Sequence, residues 1–306
     1  MIEPSAALIA KAALTFVLLA LAGVCFVRLS VVRTVGTARW RLVPASRSTI
    51  GLAIAVILAT LTQFLIVTAQ MFAVPVWPVD WGHAAAMAVE PSVGIPAVAR
   101  IALAGAILLG AIALHRRPLV FSWLAAILSG LALATLAFSG HAAITESNWG
   151  YLHLAADILH LLVAALWLGA LIGFLSALHR IDCPEDTRWI ANQLERFSTV
   201  GTGIVALLIV TGSINLATIV GSSALISVPT TAYGAVLGIK LALATVMLTC
   251  AGVNRWLLVP QLRASVDTTG TAQAASRLTA SLTVETAALL ALVYAVAVLG
   301  NMDPIS

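Results

Sequence analysis

The chain has 306 residues, of which 61% are hydrophobic and only 9% are charged. A soluble domain carries charges on about a quarter of its residues. The composition therefore excludes an ordinary soluble enzyme or binding domain. It predicts an all-α polytopic membrane protein. The formal net charge of +4 could indicate a nucleic-acid partner. Whether it does depends on where the basic residues lie along the chain.

Eight apolar segments are long enough to cross a hydrocarbon layer of roughly 30 Å as helices. They cover residues 7–29, 50–72, 94–114, 118–139, 152–178, 198–220, 233–254 and 279–300. We therefore predict a single transmembrane domain over residues 1–306, built as a bundle of about eight helices. Because the number of segments is even, both termini are expected on the same side of the membrane.

The basic residues indicate which side that is. Most of them, 13 of 16, follow the odd-numbered segments, and the even-numbered connections carry none. They are Arg28, Arg33, Arg39, Arg41, Arg47, Arg116, Arg117, Arg180, Arg188, Arg196, Arg255, Arg263 and Arg277. The positive-inside rule places this side in the cytoplasm and both termini outside. Because topology explains the basic excess, we expect the lipid bilayer as a partner and no nucleic acid.

Metal-ligating side chains collect on the predicted outer side. Four of the six histidines lie there, together with a methionine and an intramembrane aspartate. Imidazole and thioether groups are ligands that a soft or borderline metal such as copper prefers. The candidate metal ligands are His83, His141, His153, Asp157, His160 and Met71. We expect metal to enter from this side.

The fifth segment carries three of these candidates on one helix face. His153, Asp157 and His160 are spaced by four and three residues, which places their side chains on the same side of a helix. The two histidines are about 10 Å apart along the axis, so one metal cannot easily take both. Asp157 and one histidine could share a metal, with His141 or Met71 completing the site. Alternatively, Asp157 fixes a histidine tautomer.

A structural role for Asp157 is the competing interpretation. A lone charge inside a membrane is costly, and pairing is the usual solution. Lys240 and Arg100 lie at similar depth below the outer surface, about 8–10 Å for Asp157 and Lys240 at 1.5 Å per residue. Each of them is a plausible ion-pair partner for Asp157.

The surplus of outer cations keeps a second function open. Lys11 could snorkel to the interface, whereas Arg100 and Lys240 could pair with the propionates of haem b, with His141, His153 or His160 as its axial ligand. The protein would then be a haem-binding membrane redox protein. A non-catalytic scaffold is a third interpretation. Because the sequence has no P-loop, GxSxG or HExxH motif, we expect no enzymatic activity unless the haem alternative holds.

Glu285 stands apart from the outer candidates. It lies about 9 Å inside the last segment from the cytoplasmic end, and an intramembrane carboxylate is a functional candidate by default. It could relay protons or complete an inner metal station. The alternative is a neutral acid hydrogen-bonded to a neighbouring Ser or Thr.

Several ordered segments of the second half resemble a known family. They are FSGHAA at Phe138–Ala143, LHLLVAALWLGAL at Leu159–Leu171, ERFSTVGTGIVALLIVTGSINL at Glu195–Leu216, TAYGAVLGIKLAL at Thr231–Leu243 and VNRWLLVPQL at Val253–Leu262. With this number and orientation of segments, the chain resembles the CopD family of bacterial copper-resistance membrane proteins. The resemblance covers residues 138–300, whereas the first 130 residues match in hydropathy only.

The resemblance implies copper transport or copper handling across the bacterial inner membrane. It also implies copper as the bound ion and a CopC-like copper-binding protein as a partner on the outer side. The residues that carry over are His141, His160 and Trp167, with Asn215, Tyr233 and Lys240 as more structural matches.

Overall fold

A computed structural model describes residues 4–34, 46–139, 148–220, 231–266 and 270–302. These residues form helices joined by short connections, and they contain no strand. The all-α prediction is therefore confirmed. The helices are α1 Pro4–Thr34, α2 Ser46–Met71, α3 Trp81–Ala88, α4 Gly94–Ala113, α5 Pro118–Ala134, α6 Asn148–Leu178, α7 Pro184–Val220, α8 Ala232–Val253, α9 Val259–Ala264 and α10 Thr271–Leu299.

Eight of these helices coincide with the eight predicted segments. Seven of them, in the part of the chain that the structure describes, are long and apolar enough to cross a membrane. The eighth, α5, is apolar but has only 17 residues, or about 26 Å of helix. A polytopic membrane bundle is thus confirmed, while the outward placement of the termini stays a prediction.

Helix α7 departs most from the sequence-based boundaries, and α10 begins at Thr271 instead of near residue 279. Helix α7 begins at Pro184 instead of near residue 198, because a polar stretch with Glu185 and Asp186 in its first turn continues the helix before the apolar part. Helix α3 was not predicted. It has eight residues and follows Asp80, whose side chain caps its first turn. The sequence feature that indicates this helix is therefore the N-cap residue and not a long apolar segment.

Helix α1 lies at the centre of the packing. It contacts α2, α5, α6 and α10, and Leu18 and Leu21 are fully buried along it. The approach to α6 is a backbone contact: a Cβ atom added to Gly23 would lie 2.2 Å from the carbonyl oxygen of Ala165, and one added to Gly169 would lie 2.2 Å from that of Gly23. Small residues permit such close helix packing in lipid, where the hydrophobic effect contributes little.

Two cations of the outer surplus have structural partners at helix ends. Arg100 donates from Nε to Thr135 Oγ1 at 2.7 Å and from Nη2 to the Thr135 carbonyl at 3.2 Å, directly after α5. Lys11 donates from Nζ to Asn301 Oδ1 at 2.8 Å and to the Gly300 carbonyl at 3.3 Å, directly after α10. Cations are favourable at helix C-termini, whose last carbonyls lack intrahelical donors. These contacts, and not Asp157, account for both charges.

Candidate metal site and a buried carboxylate

The outer candidate site is built on the imidazole of His160. Its Nδ1 lies 2.8 Å from Thr211 Oγ1 on α7. The Thr211 hydroxyl lies 2.6 Å from the Leu207 carbonyl, to which it donates its one proton. Because that proton is used, Thr211 Oγ1 accepts from His160, and the hydrogen-bond network assigns the proton to Nδ1. His160 Nε2 therefore carries a lone pair and is available as a ligand atom.

A glycine lets α7 approach this imidazole. A Cβ atom added to Gly212 would meet His160 Cε1 at 3.5 Å, which is ordinary van der Waals contact. A longer side chain at this position would press on the ring. The hydrogen bond to Thr211 and the close packing against Gly212, both on α7, thus hold the ring in place.

Asp157 lies one turn before His160 and has an amide partner. Asn215 donates from Nδ2 to Asp157 Oδ1 at 3.2 Å. Lys240 and Asp157 are close enough for their charges to interact, but no direct ion pair joins them in the described structure. The matched depth predicted that Lys240 lies near Asp157. The hydrogen-bond donor to the Asp157 carboxyl is, however, Asn215 and not Lys240.

One acceptor atom of this cluster has no hydrogen-bond donor among the described residues, and a cation lies nearby. Asn215 Oδ1 is buried and receives no hydrogen bond from the described residues. Lys240 on α8 interacts electrostatically with both Asp157 and His160. The cluster therefore brings together an imidazole, a carboxyl group, an amide oxygen and an amine from α6, α7 and α8.

The other predicted ligands of the fifth segment do not complete a chelate. His153 is buried and interacts electrostatically with Asp157. Among the described residues, however, no group of three or more His, Cys, Asp or Glu side chains is arranged to hold a metal. This agrees with the two-turn separation of His153 and His160. His141 lies outside the described residues.

His83 and Met71 belong to a separate region at the end of α2. The His83 ring stacks on Phe72, with centroids 4.3 Å apart. Its Nδ1 lies 2.9 Å from Asp80 Oδ2, an ion-pair contact when the imidazole is protonated, although the geometry is not that of a hydrogen bond. Met71 is 63% exposed. These two candidates are not brought to His160 by the described fold.

Asp80 links the position of His83 to pH. The backbone N–H of His83 donates to Asp80 Oδ1 at 3.1 Å, and this bond is the largest cause that holds the pKa of the Asp80 carboxyl below its ordinary value. A depressed folded-state pKa stabilises α3 above the unfolded pKa, and that contribution is lost as the pH falls through the folded one. We expect the amide hydrogens of Gly82 and His83 to lose protection from exchange below about pH 4, because protonation of Asp80 weakens the cap. Asp80→Asn keeps the cap oxygen, and the same opening in this variant would contradict the prediction.

A second polar cluster surrounds Glu285 on α10. The carboxyl is only 2% exposed. Trp167 of α6 donates from Nε1 to Oε1 at 2.6 Å, and Asn254 donates from Nδ2 to Oε2 at 3.1 Å. The expected Ser or Thr partner is therefore wrong, because an indole and an amide from two other helices fill the hydrogen-bonding positions.

A cavity of about 270 Å³ adjoins this carboxyl. Its walls are mostly apolar and include Leu171, Phe174 and Trp256, with Glu285 and Asn254 as buried polar members. The cavity lies in the half of the bundle that the arginine distribution assigns to the cytoplasm. In the sequence, Glu285 was a functional candidate only because of its depth in the segment. Nothing in the sequences of α7 and α8 indicated that these helices line a cavity beside it.

The backbone of Asn254 has an unusual geometry with a local cause. Residues Asn254–Leu258 form a π-helical turn in which the Val259 N–H reaches the Asn254 carbonyl. Pro260 follows directly and has no N–H to continue the α-helical ladder, and its ring would clash with the carbonyl four residues earlier. Widening the turn relieves that clash. It also projects Asn254 toward Glu285.

Family models match both halves of the chain. The model described as Copper resistance protein D matches residues 191–299, and the model described as Copper resistance protein D-like, N-terminal domain matches residues 1–151. The second match extends the similarity to the first half, which the residue-by-residue resemblance had compared in hydropathy only. No solved structure matches the chain.

Two curated proteins are similar in sequence. Copper resistance protein D of Pseudomonas syringae pv. tomato is 31% identical over 251 residues, which are 81% of this chain and 80% of that protein. Inner membrane protein YebZ of Escherichia coli (strain K12) is 32% identical over 135 residues, 43% of this chain and 44% of that protein. With its apolar helices, the chain is a multi-pass inner membrane protein. It belongs to the copper resistance protein D family.

Proposed function

We propose that the protein carries copper across the inner membrane and is a transporter, not an enzyme. The observation that carries the proposal is the fixed tautomer of His160, whose Nε2 lone pair is free because Thr211 holds Nδ1. Imidazole is a suitable ligand for copper. The copper resistance protein of Pseudomonas syringae in the same family supports copper as the cargo.

In this proposal copper enters from the outer side and reaches the membrane interior at His160. His153, on the same helix, and His141, which lies outside the described residues, are the further histidine candidates. Asp157 supplies negative charge one turn from His160 and offsets Lys240. His83 and Met71 are proposed as first contacts at the outer surface, where a CopC-like copper-binding protein would deliver the ion.

The haem b alternative places its axial histidine among the outer histidines and its propionates at Arg100 and Lys240. One of these two cations, Arg100, donates instead to Thr135. The carrier proposal and the haem alternative are separated by one preparation of purified protein. A Soret band would favour haem and contradict the carrier proposal.

The direct test measures copper uptake into liposomes that contain the purified protein. We expect uptake above that of protein-free liposomes and bound copper in the metal analysis. Liposomes loaded with protein in the two orientations should differ in initial copper binding if the outer side is the entrance. Uptake equal to that of protein-free liposomes, with no bound copper, would reject the proposal.

The partner of His160 gives a graded prediction. In Thr211→Val the acceptor for Nδ1 is lost, so the ring can rotate and change tautomer. Loss of such a supporting hydrogen bond typically weakens metal affinity about 10–100-fold. Thr211→Ser keeps the hydroxyl and should bind copper nearly as the parent does. Equal copper affinity in the Val and Ser variants, measured by competition with a copper chelator, would show that Thr211 does not position the ligand.

A further inference from the structure

The cavity in the cytoplasmic half is lined by two buried polar side chains of different character. Glu285 presents a carboxyl with both oxygens hydrogen-bonded, by Trp167 and by Asn254. Asn254 is 7% exposed, and its Oδ1 is buried and receives no hydrogen bond from the described residues. A buried acceptor without a donor is costly. The cavity therefore offers its strongest polar interaction to a proton donor or a cation.

The two hydrogen-bond partners of Glu285 differ in whether they can adapt when the carboxyl gains or loses a proton. Trp167 Nε1 is a donor only, so it fixes Oε1 as an acceptor in every state. Asn254 has both a donor and an acceptor on one amide. A half-turn of that amide would exchange Nδ2 for Oδ1 opposite Glu285 Oε2. An ionised Oε2 then accepts from Nδ2, and a protonated Oε2 donates to Oδ1.

We propose that Glu285 is a proton-binding site loaded through this cavity, with Asn254 as the side chain that accommodates both protonation states. A hydronium ion in the cavity gives its proton to Oε2, water remains in the cavity, and the carboxyl changes from −1 to neutral. Release is the reverse step. The inference is independent of copper and does not rest on the proposed function.

The groups around Glu285 suit this role. From α8, Cys250 lies close enough to interact electrostatically with the carboxyl. From the π-helical turn, Arg255 lines the same cavity, but its Nη1 donates to Thr202 Oγ1 at 2.6 Å and to the Ser198 carbonyl at 3.0 Å. The guanidinium is thus held on α7 at the exposed side and does not pair with Glu285.

Charged groups on the other helices packed against α10 have partners elsewhere. Arg28 of α1 donates from Nε to Ser122 of α5 at 3.3 Å. Arg263 of α9 pairs with Glu195 of α7. Lys11 of α1 binds the opposite end of α10. Because none of these pairs with Glu285, a proton can supply the missing positive charge.

Infrared difference spectroscopy of the purified protein tests the site directly. We expect a carboxylic acid C=O band that grows as the pH falls and that is absent in Glu285→Gln. This variant is nearly isosteric and keeps an oxygen for Trp167, so it should fold. Glu195→Gln, which changes an exposed carboxyl outside the cavity, should leave the band in place. In Asn254→Leu the band should persist at higher frequency, since the acid proton loses its acceptor.

Two results would overturn the inference. One is a spectrum in which no pH-dependent carboxyl band disappears in Glu285→Gln across the range in which the protein stays folded. The other is a Glu285 band that responds to added sodium or copper ions but not to pH, which would assign the cavity to a metal cation. An Asn254→Leu band at the parent frequency would leave Glu285 as the site and remove Asn254 from it.

Discussion

His160→Ala is expected to lower copper uptake to that of protein-free liposomes while the bundle remains assembled. The substitution removes an imidazole that lies inside the bundle and whose orientation is held by Thr211. It should not unfold the protein, because Thr211 still donates to the Leu207 carbonyl and no buried donor loses its acceptor. Uptake and thermal unfolding of the detergent-solubilised variant are measured on the same preparation.

A second histidine provides the matched control. His179 follows the cytoplasmic end of the same helix, is exposed, and its Nδ1 contacts the Leu175 carbonyl at 2.7 Å. His179→Ala should leave uptake unchanged, because this imidazole lies at the opposite membrane surface. A stable His160→Ala variant with undiminished uptake would remove His160 from the transport route. Equal losses in both variants would point to a general effect of histidine removal.

Gly169→Ala is expected to be among the most destabilising single-methyl changes in the chain. The added Cβ would lie 2.2 Å from the Gly23 carbonyl oxygen and 2.6 Å from its Cα. Backbone atoms cannot change rotamer, so α1 and α6 must move apart. Overpacking typically costs about 1–3 kcal/mol, and a backbone clash falls at or above the upper end. Chemical unfolding in detergent and the yield of folded protein measure the effect.

Gly203→Ala on α7 is the control for this change. A Cβ at Gly203 would meet nothing within 4 Å. Alanine is the better helix former by about 0.5–1 kcal/mol, so the control should be neutral or slightly stabilising. Similar destabilisation by both substitutions would mean that glycine flexibility, and not the contact between α1 and α6, explains the loss.

Depth in the membrane could be predicted from the sequence, but side-chain partners could not. The rise of 1.5 Å per residue places His160, Asp157 and Lys240 in one layer, and the described structure holds Lys240 close enough for its charge to act on the other two without an ion pair to Asp157. The positions of Thr211 and Asn215 beside them depend on the rotation of α7. In one sequence no periodic pattern fixes that rotation, because lipid-facing and buried positions are both apolar.

The side-chain partners of Glu285 could not be predicted for the same reason. Glu285 was marked as a buried carboxylate from its depth, yet its partners come from α6 and from the π-helical turn after α8. The π-helical turn before Pro260, from which Asn254 reaches Glu285, was not predicted. Likewise, Arg100 was a plausible ion-pair partner for Asp157 and Lys11 was part of the outer cationic surplus, whereas helix ends accept their hydrogen bonds. Helix ends in a membrane are set by tertiary packing as much as by local sequence.

The close contact of α1 with α6 has a consequence for synthesis. Gly23 enters the membrane first, but Gly169 is made 146 residues later. At a translation rate of roughly 5–20 residues per second, that interval lasts about 7–30 s. During this time α1 resides in the bilayer, or beside the insertion machinery, without its closest neighbour. A ribosome that stalls before α6 would therefore leave α1 packed against α2 and α5 but with the Gly23 surface that α6 covers exposed to lipid.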